Sequence, residues 1–172
     1  DKRDSSTIIF VKPTGTLLWD GFRIPGRDSV QNDRYNYKAY FGRLVDPYCG
    51  SLNTDHLPKN VHIIRYAEVL LINAEAAFQL GKMADATTDM DLVRARAGLA
   101  PTTVTLQSIW HERRVELAME QDRFFDIVRQ GRAGQILRSL GKNFVDGKNE
   151  VFPIPQTQID LSGGKITQNP GY

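Results

Sequence analysis

The chain has 172 residues, 41% of them hydrophobic, and a net charge of +2, enough for one domain or one large subdomain with a real core. Charge is mixed throughout: residues 61–142 hold 11 Lys/Arg against 10 Asp/Glu, so no basic stripe points to nucleic acid. No apolar run approaches the ~20 residues needed to span a bilayer, and a single cysteine, Cys49, excludes an internal disulfide.

The chain opens on DKRDSSTIIF, with neither an initiator Met nor an apolar leader, which reads as a fragment or a processed product. Residues 1–60 read as irregular with a few short strands. Ser6 to Val11 and Thr16 to Trp19 are β-prone, and Lys12-Pro13-Thr14-Gly15 between them suggests a hairpin turn. Gly21, Pro25, Gly26, Pro47, Gly50 and Pro58 then break any helix. Half of the chain's 16 aromatics fall in this stretch: Phe10, Trp19, Phe22, Tyr35, Tyr37, Tyr40, Phe41 and Tyr48. Each could plug a loop onto a core, the commoner use of an aromatic, or stack on a ligand ring. Cys49 reads as a small packed residue rather than a nucleophile.

Helical periodicity starts near Ile64. Tyr66, Val69, Leu70, Ala74, Ala77 and Phe78 recur at three- and four-residue steps, and Gly81 is a natural stop. A second helix is predicted from about Asp85 to Ala97, ended by Gly98 with Pro101 beyond. Small residues at the crossing and a tight turn make this pair a tetratricopeptide-type hairpin. A third helix is predicted from Leu106 to Gln130, with Thr105 as N-cap and Gly131 as its end. A short helix near Ala133 to Leu140 follows. On the third helix Glu112, Glu116 and Glu120 are four apart, with Arg113, Arg114 and Arg123 interleaved, a spacing that allows pairs on one face. Arg113 lies in register with Ile109 and Leu117, so part of this set should be buried and paired. Glu150 to Pro155 should be extended, because the prolines of FPIP exclude helix. Leu161 to Tyr172 is a Gly/Pro/Asn tail, and Tyr172 is expected to dock.

Catalytic and metal signatures are missing. HERRV at His111 to Val115 has Val115 where a zinc-protease helix needs its second His. His56, His62 and His111 without a Cys cluster make a poor zinc set. Glu112, Glu116, Glu120 and Asp126 could in principle supply a glycosidase carboxylate pair, but arginines at matching spacings favour ion pairing. No GxSxG, Walker A loop or dinucleotide fingerprint occurs, and Gly164-Lys165 lacks the rest of a phosphate loop. No cofactor is expected.

Five blocks in order carry a resemblance. RYAEVLLINAEA (Arg65 to Ala76), VRARAGL (Val93 to Leu99), ERRVEL (Glu112 to Leu117) with DRFFDIVRQG (Asp122 to Gly131), FPIPQ (Phe152 to Gln156) and QNPGY (Gln168 to Tyr172) resemble the C-terminal part of the SusD/RagB family of outer-membrane nutrient-binding lipoproteins. The opening DKR with Thr7 resembles the family's D.R...T segment. Val128 and Gln130 stand where the family often has Arg and Trp.

The resemblance implies a mainly α fold of tetratricopeptide-like helical hairpins, long irregular loops and a few short strands. Residues 1–172 would form the C-terminal part of the domain: a loop-rich aromatic segment (1–63), a helical segment (64–142) and a C-terminal loop closure (143–172). It implies a binding protein, not an enzyme, exposed at the cell outer membrane. Such a protein takes a glycan or oligosaccharide, in some members a peptide, and delivers it to a SusC-like TonB-dependent transporter, as in starch utilization. Membrane attachment would come only through an N-terminal lipid anchor absent from this chain. Glu112, Arg113, Arg114, Glu116, Arg123 and Asp126 would be structural. Family ligand residues vary and sit on loops, so none transfers; Trp19, Phe22, Tyr35 and Tyr37 are the residues best placed to stack on a sugar face. The alternatives are a helical-repeat protein–protein interaction module without small ligand, and a glycoside-active enzyme using the helix carboxylates.

Overall fold

The computed structural model describes residues 1–42, 44–45, 60 and 62–172; Pro47, Tyr48, Cys49, Gly50, His56 and Pro58 lie outside the described residues. The element order is α1 (Asp4–Thr7), β1 (Ile8–Phe10), β2 (Thr16–Leu17), β3 (Arg23–Ile24), a 3-10 turn (Arg27–Ser29), β4 (Arg34–Asn36), α2 (Tyr66–Gln79), α3 (Met83–Arg96), α4 (Leu106–Glu116), α5 (Arg123–Arg129), α6 (Ala133–Ser139) and α7 (Gln156–Leu161). The fold is therefore mainly helical with a few short antiparallel strands. It divides into two compact units, residues 1–120 and 121–172.

In the first unit, α2 and α3 form the expected hairpin. Ala67, Leu71, Ala74 and Ala77 line the inner face of α2 and meet Ala86, Met90 and Val93 of α3, with Val104 and Ile109 closing the cluster. The alanines let the two backbones approach, and the branched and thioether side chains fill what remains. Gly81 adopts φ +73°, and Lys82 N donates to Ala77 O at 2.8 Å, the bonding of a Schellman stop. Thr105 caps α4 through a reciprocal box with Ser108: Ser108 N donates to Thr105 Oγ1 at 3.0 Å and Thr105 N to Ser108 Oγ at 2.8 Å.

The strands pair differently from the hairpin read in the sequence. β1 pairs antiparallel with β4, Ile9 opposite Tyr35, and β2 pairs with β3, Thr16 opposite Ile24. The turn at Lys12 to Gly15 does form, with Gly15 N donating to Lys12 O at 3.0 Å. Its exit is decided by one side chain. Thr16 Oγ1 accepts from Lys12 N at 3.0 Å and donates to Phe10 O at 2.8 Å. A hydroxyl takes the backbone groups that a β1–β2 ladder would have used.

The predicted helix 106–130 is two helices. α4 stops at Glu116, and Met119 (φ +68°) and Gln121 (φ +71°) turn the chain before α5. The cause is electrostatic. Glu116 O, which a continuing helix would give to the amide of residue 120, accepts instead from Lys38 Nζ at 2.6 Å and Arg65 Nη2 at 2.5 Å. Glu120 N bonds Leu117 O at 3.1 Å. Two cations on the last carbonyl also suit the negative end of the helix dipole.

The second unit packs Ile127, Ala133 and Phe144 together, with Phe124, Val128, Ile136 and Leu137 against them. Two blocks far apart in sequence meet here. The Gln168 side chain brackets Ile154, accepting from its N and donating to its O, both at 2.8 Å. Asn169 Nδ2 donates to Phe152 O at 2.6 Å. Tyr172 docks as expected: its hydroxyl donates to Val151 O at 3.0 Å, and Lys148 Nζ lies 4.6 Å from its ring centroid. After Pro155 the chain makes α7, a helical turn the FPIP reading did not anticipate.

Adjacent residues of α2 should separate buried from exposed. Leu71 is fully buried and Ile72 is 52% exposed. Leu71→Ala should cost ~2–5 kcal/mol and Ile72→Ala under about 0.5, read from denaturation midpoints at constant m-value.

Candidate functional site

Trp19 sits on the loop between β2 and β3 and is 66% exposed. The loop is closed by Leu18 N to Phe22 O at 2.8 Å and Gly21 N to Leu18 O at 3.0 Å; Gly21 takes φ +85°, the left-handed conformation that favours glycine. Leu18 is buried beneath the loop, so the turn is anchored while the indole faces outward. The indole edge lies against Gly42: a Cβ there would come within 2.9 Å of Trp19 Cη2. The ring therefore rests against the Gly42 backbone on one edge. Leu17, Leu44 and Val45, all more than half exposed, extend the apolar surface around it.

Asp20, which the sequence reading passed over, organises this surface. It is buried and collects three donors: Phe22 N at 3.1 Å, Tyr40 Oη at 2.8 Å and Leu44 N at 3.3 Å. Burial alone would raise its carboxyl, but the Tyr40, Phe22 and Leu44 hydrogen bonds outweigh that and hold it below its ordinary 3.8. Tyr40 in turn meets Tyr37 edge-on, centroids 5.8 Å apart. Of the four candidate stacking residues, the structure thus links Trp19, Phe22 and Tyr37 through Asp20 and Tyr40. Phe22 and Tyr37 are half-buried. Tyr35 belongs to β4, also half-buried, and its hydroxyl accepts from Asn32 N at 3.2 Å. The Asp20-Gly21 dipeptide was the available signal, because Asp and Gly are the residues of tight turns.

The second cluster is the buried end of α4. Glu112 and Glu116 are 1% and 2% exposed. Their partners are not the helix neighbours Arg113, Arg114 and Arg123 that spacing suggested. Arg3 bridges both, at 2.5 Å to Glu112 and 2.9 Å to Glu116, and is held from behind by Asp1 at 2.6 Å. Arg94 completes Glu112 at 2.8 Å. Arg65 and Arg96 complete Glu116 at 2.7 and 2.6 Å. Glu120 takes Arg65 and Lys38 at 2.6 and 2.5 Å. Arg113 is itself buried, with Glu68 at 3.9 Å, while Arg114 is exposed. Asp126, in the second unit, pairs with Arg129 one turn on, at 2.9 Å.

Burial by itself pushes Glu116 up, but hydrogen bonds from Arg3 and Arg65 and the charges of Arg65 and Arg96 hold it below its ordinary 4.5. Glu120 behaves alike, raised by burial but lowered further by Arg65 and Lys38. A glycosidase general acid needs a raised pKa, so these carboxylates have the opposite tuning. Among the described residues no group of three or more His, Cys, Asp or Glu side chains could hold a metal ion, and no helix is long and apolar enough to cross a membrane.

A family model described as the SusD family matches residues 9–172. The chain belongs to the SusD family. The match takes in nearly the whole chain and leaves only the opening residues, Arg3 among them, outside it. Two curated relatives from Formosa agariphila are SusD-like protein P2, 30% identical over 138 residues, and SusD-like protein P38, 32% identical over 127 residues. These alignments cover 70% and 66% of this chain but only 26% and 25% of the relatives, so the chain spans about a quarter of their length. Among solved structures, a laminarin binding SusD-like protein is 36% identical with a TM-score of 0.71, covering all of this chain and 35% of that one. Surface glycan-binding protein A from Bacteroides thetaiotaomicron, in complex with laminarihexaose, is 28% identical with a TM-score of 0.67 over 86% of this chain and 32% of that one.

The ionised cluster in this SusD-family chain fixes the sign of its acid response. Glu116 and Glu120 have folded pKa values below the unfolded one. Their contribution is therefore full above the unfolded pKa and is lost as pH falls through the folded values. Unfolding free energy should be nearly flat from about pH 7 to 5 and fall below about pH 4.5. The fall should be shallower in Glu120→Gln, measured by urea denaturation across pH.

Proposed function

We propose that this chain is the C-terminal part of a surface glycan-binding protein that hands oligosaccharide to a TonB-dependent outer-membrane transporter. The observation that carries the reading is the exposed Trp19 ring, held on a turn that buried Asp20 locks from three sides. An open aromatic face on a rigid turn suits the C–H face of a sugar, because it offers apolar area already in place and leaves hydroxyls to water. Phe22 and Tyr37 connect to this turn through Asp20 and Tyr40, and Tyr35, on β4, is a further candidate. Family membership and likeness to glycan-binding relatives support the same reading. The lipid anchor and further helices would belong to a longer polypeptide.

The role is capture rather than catalysis. The α4 carboxylates Glu112 and Glu116 are buried and saturated by guanidinium groups. A β-glucan oligosaccharide is the first ligand to try, since one similar structure is a laminarin binding SusD-like protein and another is a surface glycan-binding protein in complex with laminarihexaose.

Calorimetry of the full-length protein with laminarihexaose, and with a starch-type maltohexaose for comparison, tests this. Trp19→Ala should weaken binding about tenfold or more with an unchanged melting temperature. Equal affinity in wild type and Trp19→Ala would remove Trp19 from the site. Absence of binding to any oligosaccharide would remove the glycan reading itself.

A further inference from the structure

The aromatic segment and the buried charge cluster meet at one short turn. β4 ends at Asn36, and residues 36–40 turn back, with Ala39 N donating to Asn36 Oδ1 at 3.2 Å and Tyr40 N to Tyr37 O at 3.0 Å. The start of this turn is held by the last residue of α1, through Tyr37 N to Thr7 O at 2.9 Å. Its outer side is held by the end of α4. Asn36 Nδ2 donates to Met119 O at 2.9 Å. Lys38 Nζ donates to Glu116 O at 2.6 Å and pairs with Glu120 at 2.5 Å. The far end of the turn is Tyr40, whose hydroxyl reaches Asp20 at 2.8 Å, and Asp20 adjoins Trp19.

We propose that Lys38 is a positioning residue: it fixes the 36–40 turn on the end of α4 so that Tyr40 holds Asp20 and Asp20 holds the Trp19 face. Relevance to a glycan rests on the function proposed above; the positioning itself does not.

The geometry favours a positioning role over a simple surface pair for three reasons. Lys38 binds a backbone carbonyl as well as a carboxylate, so it fixes direction and not only charge. The Lys38 and Glu120 side chains are 27% and 18% exposed, so solvent screens the pair less than a surface one. Its counterpart turn contains Met119 at φ +68°, a conformation that costs a non-glycine residue energy and persists only where neighbours hold it. Asn36 grips the carbonyl of that residue. On the other side, the Trp19 indole rests against Gly42, and Asp20, next to it in the turn, takes its donors from Phe22, Tyr40 and Leu44. The orientation of the turn therefore follows whatever holds Asp20.

A chain of contacts is not by itself a coupling, so the test is a cycle. In the 172-residue chain, Trp110→Phe leaves Trp19 as the single indole. Acrylamide quenching of Trp19 is then measured for the parent, Lys38→Met, Tyr40→Phe and the double variant. Lys38→Met should raise the quenching constant about twofold, and the double variant should be no more quenched than Tyr40→Phe alone. Lys38→Arg, which keeps charge and reach, should restore most of the parent value. Laminarihexaose affinity of the full-length protein should fall several-fold in the same two single variants. A lower melting temperature in Lys38→Met with Trp19 quenching unchanged would overturn the proposal and leave Lys38 a structural tether. Additive quenching in the double variant would overturn it as well. Failure of the parent to bind laminarihexaose would count only against the ligand reading, because quenching needs no ligand.

Discussion

Two carboxylates buried at the end of one helix set the terms for the rest of the first unit. Glu112 and Glu116 are almost wholly withdrawn from water, and a carboxylate in that setting is strongly destabilising unless it is ion-paired and hydrogen-bonded. The partners cannot come from α4 itself, because the cations next to these residues point elsewhere. They come from the N-terminal segment (Arg3), the start of α2 (Arg65) and the end of α3 (Arg94, Arg96). One acidic pair thus obliges three separated stretches of chain to converge. Such clusters add little net stability compared with a well-packed apolar core. Their effect is to make one arrangement much better than its alternatives, since any shift strands a buried charge.

The same cations decide where α4 ends. Arg65 reaches past the Glu116 carboxylate to its carbonyl, and Lys38 reaches the same carbonyl from the aromatic segment. The helix stops there, and the left-handed Met119 follows. From this turn the constraint passes to residues 36–40 and on to the Asp20 knot under Trp19. Electrostatics in the core and the presentation of an exposed aromatic are thus parts of one assembly, one built on buried charge and the other on a buried carboxylate with three neutral donors.

What could be read in the sequence was local or punctuated. The α2–α3 hairpin was legible because apolar residues recur at helical steps and Gly81 and Gly98 mark the ends, but the face read from the sequence included Tyr66 and Val69, which are exposed, whereas Ala67, Leu71, Ala74 and Ala77 line the core. Docking of Tyr172 was legible from the ordered look of QNPGY. What could not be read depended on partners distant in sequence. The run from Leu106 to Gln130 looks like one helix by propensity, and the cations that take the Glu116 carbonyl where it stops, Lys38 and Arg65, lie 78 and 51 residues away. Spacing pointed Glu116 towards Arg113 and Arg123, yet helical neighbours lost to guanidinium groups arriving from other elements. The β1–β2 hairpin failed on a single hydroxyl, Thr16. Trp19, Phe22 and Tyr37 were legible as aromatics on a loop, whereas Asp20, the residue that organises them, carried only a turn signature.

The most direct measurement is a double-mutant cycle on unfolding free energy between Arg65 and Glu116, using Arg65→Met and Glu116→Gln. Each single change should cost about 1–3 kcal/mol, since Glu116 keeps Arg3 and Arg96 and Arg65 keeps Glu120, and the coupling energy should be about 1 kcal/mol or more. A coupling below about 0.5 kcal/mol, with both single variants near wild-type stability, would contradict the view that this buried pair holds the unit together.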